Sequence, residues 1–254
     1  MTLPRTPSLR VDGKRALVTG GTRGIGLGAA VALAEAGAAV TIVARTPDDV
    51  ACAGQLMRTA GLTVEGAVLD VTDVEAVQTF VDGSETYDIL VNSAGMARHA
   101  EFVDVTVADY RAVLDLNLGA ALFVSQAVSR RLIADRKPGS IIHVSSQMGH
   151  VGGPRRAVYA ASKHALEGLS KAMALELGAH GIRVNTIAPT FIETDMTAAG
   201  LGEPAFRSWV LSKIKLGRLG RVEDIMGPVV FLASDAAALV TGVSLLVDGG
   251  WTAE

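Results

Sequence analysis

Tyr159 and Lys163 stand four residues apart in Val158-Tyr-Ala-Ala-Ser-Lys-His-Ala-Leu. In a helix that spacing puts both side chains on one face. A free phenol titrates at about 10 and is a poor base at neutral pH. An ammonium beside it favours the phenolate and lowers that value, as proton transfer to or from an oxygen requires. Alone, the pair reads better as a buried tyrosine beside a snorkelling lysine, since Tyr-x3-Lys is common on helices. A second feature weights it toward chemistry. Thr19-Gly20-Gly21-Thr22-Arg23-Gly24-Ile25-Gly26 lies between a β-branched run and an Ala-rich segment. Strand, glycine turn and helix in that order is the setting of a dinucleotide phosphate loop. Glycines let the backbone approach a pyrophosphate, and the helix N-terminus offers free N–H groups and the positive end of its dipole. An ordinary tight turn is the alternative reading.

Other polar residues are read in the same way. Two serines end Ile141-Ile142-His143-Val144-Ser145-Ser146, without the Gly-x-Ser-x-Gly elbow of a nucleophile. Asn117 falls within a helical segment, where asparagine is a mediocre helix former. The five histidines (His99, His143, His150, His164, His180) show no ligand spacing, and the lone Cys52 excludes an internal disulfide or an all-cysteine metal site, so no metal is expected. An NAD-binding loop calls for an acid about 20 residues further on, at the end of the second strand. That position is Ala44, followed by Arg45, and Arg23 lies inside the glycine loop. Two guanidinium groups suit a 2′-phosphate, which favours NADP(H) over NAD(H). Asp48 and Asp49 follow Pro47 and read as the first turn of a helix. Asp70 and Asp73 are candidate N-caps. Either of Arg155 and Arg156 could clamp a substrate carboxylate, although solvated loop arginines are the preferred reading.

These groups need a scaffold. Strand candidates are Arg15–Thr19, Ala39–Ala44, Thr63–Asp70, Asp88–Val91, Ser140–Ser145, Arg183–Ala188 and Ser244–Val247. Most are continuously apolar, the mark of strands covered on both faces. Between them lie helix candidates Ile25–Ala36, Pro47–Ala60, Val74–Val81, Val107–Ala134, Tyr159–Ala179 and Arg221–Leu232. Strict alternation predicts right-handed βαβ units in an α/β, Rossmann-type doubly wound sheet of seven parallel strands with helices on both faces. No linker or repeat divides residues 1–254, which read as a single domain, and 193–220 read as a substrate lid. The stretch Ile225–Val247 is long enough to span a membrane, but Asp235 lies near its middle and Pro228 interrupts it, so it reads as a buried helix, a turn and a buried strand. With 254 residues, 49% of them hydrophobic and 19% charged, the chain is expected to be globular. Its net charge of −3 gives no basic footprint for nucleic acid or an anionic membrane. The N-terminus shows no apolar signal core, so a cytoplasmic location is expected.

The glycine loop, spaced Gly-x3-Gly-x-Gly, resembles the cofactor motif of the short-chain dehydrogenases/reductases. The likeness continues, in order and spacing, through Asn92-Ser93-Ala94-Gly95, Asn117, Ser146, Tyr159-x3-Lys163, Pro189 and Asp248-Gly249-Gly250. It resembles most the 3-oxoacyl-acyl-carrier-protein reductases and the sugar and polyol dehydrogenases. The resemblance implies a catalytic set of Asn117, Ser146, Tyr159 and Lys163. The family's serine precedes its tyrosine by 13 residues, which selects Ser146 over Ser145. Tyr159 would exchange the proton, Ser146 would hydrogen-bond the carbonyl oxygen, Lys163 would hold the nicotinamide ribose, and Asn117 would hold a relay water at a helix kink. Implied cofactor contacts are Gly20, Thr22, Arg23, Gly24, Ile25, Gly26, Arg45, Asp70, Val71, Asn92, Ala94, Gly95, Tyr159, Lys163, Pro189, Ile192 and Thr194. Thr190 stands where the family pattern has glycine. Carrier-protein reductases are expected to carry arginines before strands five and six; here those positions are Lys137 and His180, which weakens that reading.

The expected function is therefore hydride transfer between NADP(H) and a carbonyl or secondary alcohol: a 3-oxoacyl group, small ketone, polyol or sugar acid. An NAD-linked sugar or polyol dehydrogenase and a catalytically silent dinucleotide sensor are the alternatives. Long apolar helices, and the habit of the family, predict a homotetramer. Substrate walls are expected from Met96–His99, Gln147–Arg156 and Thr194–Leu216.

Overall fold

The computed structural model describes residues 2–253. Strands β1 (Arg15–Thr19), β2 (Ala39–Ala44), β3 (Val64–Val68), β4 (Ile89–Asn92), β5 (Gly139–Val144), β6 (Ile182–Pro189) and β7 (Ser244–Val247) form one sheet in the order β3-β2-β1-β4-β5-β6-β7. Every pair is parallel. Parallel strands need crossovers, and these cover both faces. Helices α1 (Gly24–Glu35), α2 (Pro47–Thr59) and α9 (Glu223–Ala233) pack on one face. Leu33, Ile42, Val229 and Leu232 are fully buried there. Helices α3 (Val74–Asp82), α5 (Ala121–Ala134) and α6 (Ala157–Leu177) cover the other face, over Leu90, Val128, Leu132 and Ile141. Each such side chain contributes about 1.5–3 kcal/mol of burial, so the two layers hold the sheet between them.

The acids after Pro47 lie in the first turn of α2, as expected, and Asp73 caps α3 by accepting from the Ala76 N–H at 3.0 Å. Two expectations need correction. The helix over 107–134 is not continuous: α4 (Val107–Leu114) passes into a π-helical turn over Asp115–Ala120 before α5. The run Ile225–Val247 does hold a helix, a turn and a strand, but β7 is half-exposed rather than buried, with Leu246 42% exposed. It is an edge strand and pairs only with β6. Among the described residues the one helical stretch long and apolar enough to cross a membrane, counted through its π turn, is Val107–Ala134, and 56% of its apolar window is buried inside the fold.

The segment over 193–220 contains two helices that its mixed composition hid, α7 (Asp195–Leu201) and α8 (Pro204–Lys213). A bridge between Ile192 and Gly220 closes their base, with Glu193 N–H donating to Gly220 O at 2.9 Å and Gly220 N–H to Phe191 O at 3.0 Å. Their apolar side chains have a small core of their own around Leu201, Val210, Ile214, Leu219 and Trp251. Asp248 accepts from Gly250 N, Thr252 N and Thr252 Oγ1, which folds the C-terminal turn so that Trp251 reaches this core.

Candidate active site

The strand order reverses between β1 and β4, and a cleft opens at the C-terminal ends of the strands, where an open α/β sheet binds its ligand. Thr19, the last residue of β1, prepares it. Its Oγ1 accepts from Ser93 N at 3.1 Å and Ala94 N at 3.2 Å, pinning the loop after β4 against the glycine loop. That approach needs glycine. Gly20 has φ +63°, and a Cβ there would lie 2.9 Å from Ala94 Cα. A Cβ on Gly26 would lie 2.1 Å from Gly20 O, so α1 starts directly behind the loop. No side chain caps α1 and its first turn carries no acid, leaving its N–H groups to face an anion.

Gly20, Thr22, Arg23, Gly24, Ile25 and Gly26 all line the cleft, as do Arg45 and Val71. Arg23 and Arg45 are exposed, and neither makes an ion pair among the described residues. Two further residues, Ser145 and Thr190, line the cleft with buried hydroxyls that have no partner. A cradle of glycines, an uncapped helix and two free guanidinium groups fit a phosphorylated dinucleotide. Ala94, Gly95, Pro189, Ile192 and Thr194 lie on the opposite wall. Thr190 takes no left-handed backbone, so the departure from glycine costs no strain.

Two expected cofactor contacts lie off the wall. Asn92 is buried and turned away: its Nδ2 donates to Ser125 Oγ at 2.9 Å and lies 3.2 Å from His143 Nδ1. His143 is neutral, pushed down to about 3 by burial and by the charge of Lys163. Asn92 therefore ties β4 to β5 and α5. Asp70 is not part of the cleft lining, which takes Leu69 and Val71 from the same segment. Its carboxylate accepts from Thr72 N and Thr72 Oγ1, at 2.9 and 2.7 Å, closing a local turn. Burial acts to raise that carboxyl, but the Thr72 hydrogen bonds and the Arg45 charge outweigh it and hold the carboxyl below its usual range.

The catalytic candidates converge. Tyr159, Lys163 and Ser146 line the cleft together. Helix α6 begins at Ala157, and Lys163 Nζ lies 5.7 Å from the centre of the Tyr159 ring. Lys163 is buried and donates to Val144 O at 2.8 Å, so β5 fixes the end of the side chain. Burial pulls its ammonium down to about 8, and the carboxylate of Glu167 opposes that. Glu167 is itself buried, accepting from Thr186 Oγ1 at 2.9 Å and Ser244 Oγ at 3.1 Å. The phenol is expected to be lowered by the Lys163 ammonium together with an oxidised nicotinamide; in the chain alone it is not. Burial raises Tyr159 above its ordinary value, and the Ser146 hydrogen bond and the Arg156 charge offset only part of this. The chain alone thus holds a protonated phenol.

Ser146 begins the turn Gln147–Gly149, accepting from Met148 N at 3.1 Å and donating to Gln147 Oε1 at 2.8 Å. Asn117 lies in the π turn and does not line the cleft. Its amide grips Met96, with Oδ1 accepting from Met96 N at 2.8 Å and Nδ2 donating to Met96 O at 2.9 Å, and Nδ2 also reaches Ser162 Oγ at 3.1 Å. Asn117 thereby joins the loop after β4 to the helix that carries Tyr159. Arg155 and Arg156 part company. Arg155 is an exposed loop arginine 3.5 Å from Glu101, whereas Arg156 is half-buried, which corrects the solvated reading for that residue. Thr46, Leu69 and Ser93 line the cleft without having been assigned a role, although Ser93 lies within the Asn92–Gly95 motif. Each stands at or just past the C-terminal end of a strand, and that position was the available signal.

Residues 20–252 match the family model described as enoyl-(acyl carrier protein) reductase. The chain belongs to the short-chain dehydrogenase/reductase family. It is 42% identical over 245 residues to D-erythrulose reductase of Gallus gallus, covering 96% of this chain and 98% of that one. L-xylulose reductase of Bos taurus is 41% identical, covering 96% and 99%. The crystal structure of a gluconate 5-dehydrogenase from Burkholderia cenocepacia in complex with NADP and tartrate superimposes with a TM-score of 0.93 at 38% identity, covering 97% of this chain and 98% of the other. As a member of this family the chain is an NAD(P)-dependent oxidoreductase.

Proposed function

We propose that the chain moves a hydride between NADP(H) and a carbonyl or secondary alcohol carbon of a sugar, polyol or sugar acid, within one domain whose lid is 193–220. The carrying observation is that Ser146, Tyr159 and Lys163 meet in one cleft with the glycine loop, Arg23 and Arg45. Its relatives act on substrates of this kind by name: erythrulose, xylulose and gluconate. When bound, the nicotinamide supplies or takes the hydride. The chain handles the oxygen and the proton. Ser146 exchanges its bond to Gln147 for one to the carbonyl oxygen, where negative charge develops on reduction. Tyr159 donates its phenolic proton to that oxygen, and recovers a proton from the alcohol in the reverse direction. The Lys163 ammonium offsets the charge left on the phenolate and presents donors to ribose hydroxyls. Asn117 positions the loop bearing Gly95 and Met96 against α6, at the helix kink where a relay water would sit. The test follows reduced nicotinamide by its absorbance over ketoses, polyols, sugar acids and acyl thioesters, with each cofactor. Turnover of sugars or sugar acids with the phosphorylated cofactor is the expected result. Turnover of acyl thioesters alone would reject the substrate class.

The pH dependence follows from Lys163. Its value of about 8 lies below that of free lysine, so the charged form it needs is lost as pH rises through about 8. Reduction at saturating cofactor should therefore fall above that pH. Glu167 favours the charged form, so Glu167→Gln should move the fall to lower pH. A profile unmoved by that substitution would show that Lys163 does not set it.

A homotetramer is also proposed. Phe102, Val103, Val107 and Tyr110 are 79%, 87%, 67% and 49% exposed along α4 and the turn before it, apolar side chains that contact with other copies of the chain would cover. Light scattering should give four times the 26.2 kDa of one chain, and a monomer would reject this. A cytoplasmic location is supported by the single thiol, Cys52, which is free and exposed.

A further inference from the structure

We propose that Arg156 recognises a substrate carboxylate beside Tyr159, so that the substrate is an anionic sugar acid rather than a neutral sugar or polyol. The inference rests on the oxidoreductase reading above and narrows its substrate class.

Four segments meet around this guanidinium. Arg156 itself stands immediately before α6, three residues from Tyr159. Its Cζ lies 5.4 Å from the ring centre of Phe191, which follows β6, and 5.4 Å from that of Phe206, in the lid helix α8. Its Nη1 lies 2.9 Å from Nδ1 of His99, in the loop after β4. None of Arg156, His99, Phe191 and Phe206 lines the cleft itself; the cluster adjoins it through Tyr159 and through Thr190 and Ile192, the neighbours of Phe191, which do. The charge of Arg156 reaches the phenol, whose value it lowers.

All of these partners are neutral. Burial, with the charges of Arg156 and Arg155, pushes His99 down to about 4, so above that pH the imidazole accepts a hydrogen bond and carries no charge. No carboxylate lies within ion-pair distance of Arg156 among the described residues, although its neighbours are matched: Arg98 with Asp109, and Arg155 with Glu101. Arg156 is half-buried, and burial lowers its value. A partly desolvated cation without a counter-ion is unfavourable, and an anion arriving from solution relieves that cost. A guanidinium has five N–H donors in a planar fork that matches a carboxylate two bonds at a time. The contacts to Phe191 and Phe206 are ring contacts that use no N–H donor, and His99 engages only Nη1. A polyol brings hydroxyls but no charge. The competing account makes Arg156 a clasp that ties the lid to the body through Phe191 and Phe206, indifferent to substrate charge.

The experiment compares kcat/KM for keto-aldonic and aldonic acids with that for neutral ketoses and alditols of the same chain length, in the wild type, Arg156→Lys and Arg156→Met. The wild type should prefer the acids. Arg156→Met, which keeps the apolar stem, should cut the acid-to-neutral ratio by about 100-fold, mostly through KM of the acid, as loss of one partner of a hydrogen-bonded charge pair implies. Arg156→Lys should restore part of that ratio, since it returns the charge without the fork. An unchanged ratio, with both classes slowed alike, would establish the clasp and overturn the proposal. A wild type that prefers neutral sugars would overturn it too, leaving the oxidoreductase reading intact, and this arm decides even if the Met variant does not fold. Absence of turnover for both classes, with NADPH still bound, would overturn the oxidoreductase reading and this one with it.

Discussion

Replacing Tyr159 by phenylalanine is expected to lower kcat by about 100- to 10,000-fold, the range a positioned acid or base contributes. The reason lies in what remains after the hydroxyl is gone. Ser146 can still donate to the carbonyl oxygen, but its hydroxyl does not titrate near neutral pH. Lys163 is held by Val144 O at 2.8 Å on the β5 side and cannot reach far enough to replace the phenol without giving up that bond. The phenol also starts in the right form for reduction, because burial keeps it protonated. NADPH affinity should change little, since the glycine loop, the α1 N-terminus, Arg23 and Arg45 are untouched. Kinetics and a fluorescence titration of NADPH on the same preparation provide the check. A variant that retained wild-type turnover would remove Tyr159 from the mechanism.

Removing both arginines, in Arg23→Ala with Arg45→Ala, should weaken NADPH by about 100-fold or more, at about 1.5–3 kcal/mol for each hydrogen bond to a charged group. NADH, which has no 2′-phosphate, should be affected far less, so the ratio of the two KM values isolates the arginines from any general damage. Both side chains line the cleft, both are exposed, and neither makes an ion pair among the described residues. Position 44 is alanine, and an acid there would accept from the ribose hydroxyls of NAD and repel the phosphate of NADP. Adding Ala44→Asp should therefore carry the preference over to NADH. Equal use of the two cofactors by the wild type would show that the arginines do not discriminate. Because these groups face water, the difference should shrink as salt screens it.

Much of this site is legible in the chain because its determinants are local. A glycine turn between a strand and a helix needs only neighbouring residues, and Tyr159 and Lys163 share a face through the helical period alone. The alternation of apolar runs with Ala- and Leu-rich segments determined a doubly wound parallel sheet, whose crevice lies at the strands' C-terminal ends. Thr46, Leu69 and Ser93 could have been found from that rule. Position along the chain does not reveal which way a polar side chain turns. Asn92 and Asp70 have the residue types and spacing of cofactor contacts, yet Ser125 and His143 claim one and Thr72 the other. The π turn sets Asn117 against Met96, 21 residues earlier in the chain. The lid helices owe their stability to an aromatic cluster completed by Trp251, near the far end of the chain. Titration behaviour is equally nonlocal. The sequence shows a lysine near a phenol, but the depth of burial decides that the phenol rises and the ammonium falls. Arg155 and Arg156 are adjacent and chemically identical, and only packing separates them: one faces Glu101 and solvent, the other sits among Phe191, Phe206 and a neutral His99. Backbone pattern was thus determined by the order of residues, while charge environment was decided by contacts between segments that the sheet brings together, because desolvation and pairing depend on distance in space.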